Sequence, residues 1–157
     1  MSQSIRWVLL AYRLPREPST PRIALWRQLR RLGVAQVSDG VVALPLDART
    51  REQLEWIAET VIERHGEATI WLAEPGTAAQ GRALARQMTE AIEAEYVGLI
   101  ARVGATAAGP EAMRGRTLAA LRRELGRITA RDFFPSASRD RARAAIERVA
   151  IGLEAAS

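Results

Sequence analysis

Residues 7–33 read WVLLAYRLPREPSTPRIALWRQLRRLG, and the fold turns on how this stretch is divided. Ile5–Leu14 is apolar on both alternating faces, the pattern of a central strand covered on two sides. Pro15, Pro18 and Pro21 punctuate a loop. Thr20 is placed to cap a helix, Pro21 suits its first position, and Gly33 ends it. On that helix Leu25, Leu29 and Leu32 share one face while Arg27 and Arg31 point away. Strand, loop and helix therefore form the first βα unit.

The same punctuation continues outward. Val34–Val37 is a short strand, Ser38-Asp39-Gly40 a hairpin turn and Val41–Leu46 the returning strand. A helix from about Thr50 to Arg64 buries Leu54, Ile57, Ala58 and Val61, and Gly66 stops it. Ala68–Ala73 (ATIWLA) is the fourth strand. The order is βαββαβ, an α+β ferredoxin-like antiparallel sheet. Glu74-Pro75-Gly76 is a turn, and a three-helix extension follows: Ala78–Val103, a loop at Gly104–Pro110 (GATAAGP), Glu111–Arg131, and a last helix capped by Ser138. The expected layers are residues 1–75 and 76–157, packed as a single structural domain. Trp7 and Trp71 share a strand parity, so one sheet face is rich in tryptophan. Its cover is either the C-terminal helices or a second subunit, which makes a homodimer one expectation. Trp56 projects opposite Leu54 and Val61, towards the appended helices or a dimer partner.

Composition narrows the chemistry. The 157 residues contain no cysteine and one histidine, which excludes disulfides, thiolate sites and any multi-His metal centre. No apolar run approaches the roughly 20 residues of a membrane span, and Met1–Arg6 lacks the pattern of a signal peptide. The expectation is a cytoplasmic protein with no membrane partner. Every one of the 23 basic residues is arginine, and the net charge is +5. Each cation is thus a planar fork suited to carboxylates, phosphates and other oxyanions. No Gly-rich phosphate loop, nucleophile elbow or organised carboxylate pair is present. Glu52, Glu55, Glu59 and Glu63 pair naturally with Arg51 and Arg64, and His65 sits on the buried side as a capping or core residue. No catalytic residue, metal ligand or cofactor site is assigned.

Two arginine groups stand out. Arg13, Arg16 and Arg22 surround a helix start, where the macrodipole disfavours cations. Free amides and arginine forks together suit an oxyanion, and a salt bridge from Arg22 to Glu17 or another carboxylate is the structural alternative. The second group is Arg116, Arg123, Arg127 and Arg131, opposite the Leu118/Leu121/Leu125 stripe. Between residues 102 and 143 there are 10 Arg against 4 Asp+Glu. Such a ridge binds nucleic-acid backbones, or is simply a solvated helix face. No helix-turn-helix pattern accompanies it.

Trp7-Val8-Leu9-Leu10-Ala11-Tyr12-Arg13-Leu14-Pro15, Pro21-Arg22, Trp26-Arg27-Gln28-Leu29, Gly33, Val41–Pro45 and the late Asp132-Phe133-Phe134-Pro135 together resemble the N-terminal domain of the ChrB family. The resemblance covers nearly the whole chain, through hydrophobic and prolyl motifs. It implies chromate resistance, with chromate-responsive control of transcription the usual role, and hence chromate or a sulfate-like oxyanion and DNA as partners. Many ChrB proteins continue into a second domain, and the expectation is that the 157 residues do not include it. More distantly, the first strand and helix are similar to the ferredoxin-like domain of PaaX-type repressors and to small CRISPR-associated nucleases. The nucleases end their first strand with an acidic metal ligand, where this chain has Arg13. A metal-dependent nuclease and a non-catalytic dimerisation module are the alternative readings.

Overall fold

The computed structural model describes residues 5–156. The chain divides into two compact units, Met1–Met88 and Thr89–Ser157. The boundary falls inside a helix rather than at the Glu74-Pro75-Gly76 turn.

The first unit contains β1 (Trp7–Arg13), α1 (Thr20–Leu32), β2 (Ala35–Ser38), β3 (Val41–Pro45), α2 (Ala48–Glu63) and β4 (Glu67–Ala73). The sheet runs β2-β3-β1-β4 with every pairing antiparallel, the ferredoxin-like order. Its register explains the two apolar faces of β1. Val8 and Leu10 oppose Leu44 and Val42, and all four are buried on the face against which α2 packs Leu54, Ile57 and Val61. Leu25 and Leu29 of α1 are buried as well. Burying such a side chain contributes about 1.5–3 kcal/mol.

On the other face Trp7 pairs with Ala73 and Leu9 with Trp71, so both tryptophans do share a face. Their fates differ. Trp7 is buried, beneath a hollow of about 410 Å³ that Ala83 and Leu84 help to line, whereas Trp71 is 59% exposed. Trp56 is equally exposed, bordering a groove with Gln28 and Arg31.

The helix ends depart from the expected chemistry. Ser19, not Thr20, precedes α1, and no side chain caps it. Asp47 caps α2: its Oδ1 accepts the Thr50 amide at 2.8 Å, and Thr50 Oγ1 accepts the Asp47 amide at 3.0 Å. The capping box thus begins the helix before Thr50, and Thr50 is buried inside it. At the far end His65 is exposed with φ of 65° rather than packed on the buried side. Its amide donates to Ile62 O at 3.0 Å and that of Gly66 to Val61 O at 2.9 Å, which satisfies the terminal carbonyls in a Schellman arrangement. Gly66 serves closeness instead: a Cβ there would lie 2.4 Å from the Arg13 carbonyl oxygen.

The helix that crosses the boundary, α3, runs Ala78–Ala108, so the expected loop at Gly104–Pro110 is mostly helical. Ala105, Thr106, Ala107 and Ala108 continue the turns because alanine is the best helix former, and one glycine costs only about 1 kcal/mol. Gly109-Pro110 is the actual stop. Glu111–Ala130 is α4 and Ala137–Ala156 is α5. The second unit closes around Tyr96, Leu99, Leu118, Leu121, Ile128 and Ile146. Ser138 does not cap α5; Ser136 Oγ accepts the Ser138 amide at 3.3 Å.

Candidate functional site

At the end of β1, alternation sends Tyr12 and Arg13 to opposite faces. Tyr12 lies on the helix side, near enough to Arg22 and Asp39 to feel both charges; burial raises its pKa, Arg22 opposes that rise and Asp39 adds to it. The Tyr12 amide donates to Gly40 O at 2.8 Å, holding the hairpin turn beside it. Arg22 therefore faces the Tyr12 side, and its Nη1 reaches the Arg16 carbonyl at 3.5 Å. Arg13 opposes Glu67 in the register and leaves on the Trp7 face. The structure brings Arg16 and Arg22 together and does not bring Arg13 to them. All three are exposed. Among the described residues no ion pair engages Arg22, so the salt bridge to Glu17 is not made.

The basic helix behaves differently at its two ends. Arg116, Arg123 and Arg127 are exposed on α4, opposite buried Leu118 and Leu121, and no ion pair engages them among the described residues. Arg131 is drawn away from that ridge. Its Nη2 lies 2.5 Å from Glu95 Oε1 and its Nη1 donates to the Arg127 carbonyl at 2.8 Å. Arg102 grips Glu124 with both terminal nitrogens, at 2.7 and 2.6 Å, and these hydrogen bonds hold the Glu124 carboxyl below its usual range.

A polar cluster that sequence reasoning did not find joins the α4–α5 corner to α3. Fully buried Tyr96 donates its hydroxyl to Asp132 Oδ2 at 2.8 Å. Glu93 accepts from the hydroxyls of Ser136 and Ser138, which lower its pKa, and Arg141 Nη2 donates to Ser138 Oγ at 2.8 Å. These partners are 36 to 45 residues apart, and only the motif Asp132-Phe133-Phe134-Pro135 marked their place. The cluster orients a corner, and no group of three or more potential metal ligands gathers there or elsewhere among the described residues.

Burial, and then the bond to Asp132, pushes the Tyr96 pKa up to about 12. A raised folded-state pKa means stability present below pH ~10, lost as pH climbs towards that folded value. Of the two tyrosines, Tyr96 should resist ionisation at pH ~10 in an ultraviolet titration. Tyr96→Phe should remove the later, cooperative step; a transition at the free-tyrosine position would contradict the buried Tyr96–Asp132 bond.

The family model for "Protein ChrB, N-terminal" matches residues 22–109, more than half of the chain. The chain belongs to the ChrB N-terminal family. Protein ChrB of Cupriavidus metallidurans (strain CH34) is 31% identical over 97 residues, which is 59% of this chain but only 29% of that protein. The similarity thus covers less than a third of the relative's length. No solved structure matches the chain. The family match begins at Arg22, inside α1, and runs to Gly109, just past α3; β1 with Arg13, and Arg16, lie before it, and α4 and α5 lie after it. No described helix is long and apolar enough to cross a membrane.

Proposed function

We propose that this ChrB-family chain is a binding module of chromate resistance, a regulator that responds to a tetrahedral oxyanion and contacts nucleic acid, and that it is not an enzyme. The observation that carries the reading is family membership over residues 22–109. Two features of the chain support its parts. Arg16 and Arg22 lie at the uncapped start of α1, where free amides and a guanidinium with no ion pair among the described residues favour a dianion. Arg116, Arg123 and Arg127 supply an exposed cationic ridge on α4, suited to phosphate contacts by counterion release.

A bound dianion offsets the charge that Arg22 places against the helix dipole. Chromate should therefore raise the melting temperature in a saturable way, with sulfate competing because charge and shape are all these groups read. Arg22→Ala should abolish the rise while leaving the anion-free protein as stable as before, or more so. If Arg22→Ala kept the full anion response, this site would be wrong. If neither anion shifted the wild-type melt, direct sensing would fail.

A second reading, a dimerisation module, is favoured by Trp71 and Trp56, each 59% exposed.

A further inference from the structure

The two edges of the sheet are treated differently. At β2 the Gln36 amide donates to Gln87 Oε1 at 2.6 Å, and Gln87 Nε2 donates back to the Gln36 carbonyl at 3.2 Å. One side chain thus occupies both main-chain groups of Gln36, and an irregularity between Gln36 and Ser38 breaks the strand's run. Blocked groups and bulges are devices that stop an edge from pairing. The β4 edge has neither. It is a regular strand, and from Ala68 to Ala73 it holds no charge and no proline.

The direction of its free groups follows from β1. The Tyr12 amide donates to Gly40 O and the Arg6 carbonyl accepts from Leu46, so even-numbered residues of β1 turn their peptide groups towards β3. Odd-numbered residues turn theirs towards β4, where Trp7, Leu9, Ala11 and Arg13 meet Ala73, Trp71, Thr69 and Glu67. The peptide groups of Ala68, Ile70 and Leu72 consequently point outward. Among the described residues no hydrogen bond reaches them.

We infer that β4 is the seat of a symmetric homodimer, pairing antiparallel with β4 of a second copy about a two-fold axis at Ile70. In that register Ile70 meets its own counterpart, and Ala68 meets Leu72 of the partner subunit. Each pair exchanges two main-chain hydrogen bonds, and no outward group is left over. The side chains suit the same register. Trp71 opposes Thr69 of the partner subunit on one face, so two indoles flank the axis. On the other face Leu72, 40% exposed, reaches across towards Ala68 of the partner subunit. Glu67 opposes the partner's Ala73, so no like charges are set directly opposite. A second copy fits because the free groups are self-complementary about one residue, as an isologous contact requires.

Light scattering coupled to gel filtration on the full chain tests this. The expected mass is twice 17.3 kDa, falling towards the monomer on dilution. Leu72→Pro deletes an outward N–H without touching the β1 ladder, and should give a folded monomer at every concentration. Trp71→Lys, at an exposed position, sets two cations beside the axis and should do the same, so the test survives if the proline variant misfolds. Because the chain has no cysteine, Ile70→Cys should crosslink to itself on oxidation. A wild-type monomer at high micromolar concentration would overturn the proposal, and so would a dimer indifferent to both surface variants.

Discussion

Gly66→Ala is expected to be among the most damaging single-methyl changes in the first unit. The added Cβ would sit 2.4 Å from the Arg13 carbonyl oxygen, 2.7 Å from Val61 Cγ1 and 3.0 Å from Leu14 Cδ2. The first of these is backbone in the central strand and cannot swing aside. Overpacking costs about 1–3 kcal/mol where side chains can yield, so about 3 kcal/mol or more is expected here. For a unit of this size that lowers the melting temperature by roughly 10–20 °C. The neighbouring change should go the other way. His65 holds a left-handed φ of 65°, which costs a non-glycine residue about 1–2 kcal/mol, so His65→Gly should be neutral or stabilising. Circular-dichroism melts of both variants check the pair. A Gly66→Ala protein melting within a few degrees of wild type would show that the α2–β4 turn is not held against β1 as described.

The second large effect concerns nucleic acid. Replacing Arg116, Arg123 and Arg127 together by alanine leaves buried Leu118, Leu121 and Ile128 untouched, and alanine favours the helix, so the fold should survive. If each arginine meets one phosphate, the slope of log affinity against log salt should flatten by about 0.9 for every phosphate no longer neutralised. Near 0.1 M salt the combined weakening is on the order of a hundredfold or more. It should be similar across duplex sequences, because phosphate contacts carry no base information. Arg131→Ala should behave differently, since its guanidinium is held by Glu95: stability should fall modestly while the salt slope stays.

The ferredoxin-like order was readable from alternation and punctuation because each βα unit is local. Alternating apolar residues in β1 predict its central place, and Asp39-Gly40 marks the hairpin. The parity of Tyr12 and Arg13 was equally present in the sequence. It places Arg13 on the Trp7 face rather than with Arg22, which nearness along the chain obscured. Helix ends were less legible. Asp47, His65 and Ser136 each act through one or two main-chain bonds, and another residue nearby fits the same statistical role. The extension of α3 through Gly104 went unread because a glycine in a polar-looking stretch suggests a loop, yet the alanines around it carry the turns. Gln87 over Gln36 and Tyr96 against Asp132 are long-range pairs. No spacing rule points to either. The same holds for Arg131: helical periodicity sets it on the basic ridge, and only its ion pair with Glu95 removes it.

The most direct test of the central claim, that an oxyanion acts on a nucleic-acid-binding ChrB-family module, is the affinity of the chain for a labelled duplex with and without chromate. Ionic strength is held constant with a monovalent salt, and sulfate, whose charge and shape the same groups read, should act in the same way. The account predicts a saturable change in affinity with chromate that Arg22→Ala removes and the α4 triple variant still shows, from a weaker starting point. Duplex binding that is indifferent to chromate, or a response that Arg22→Ala leaves intact, would contradict it.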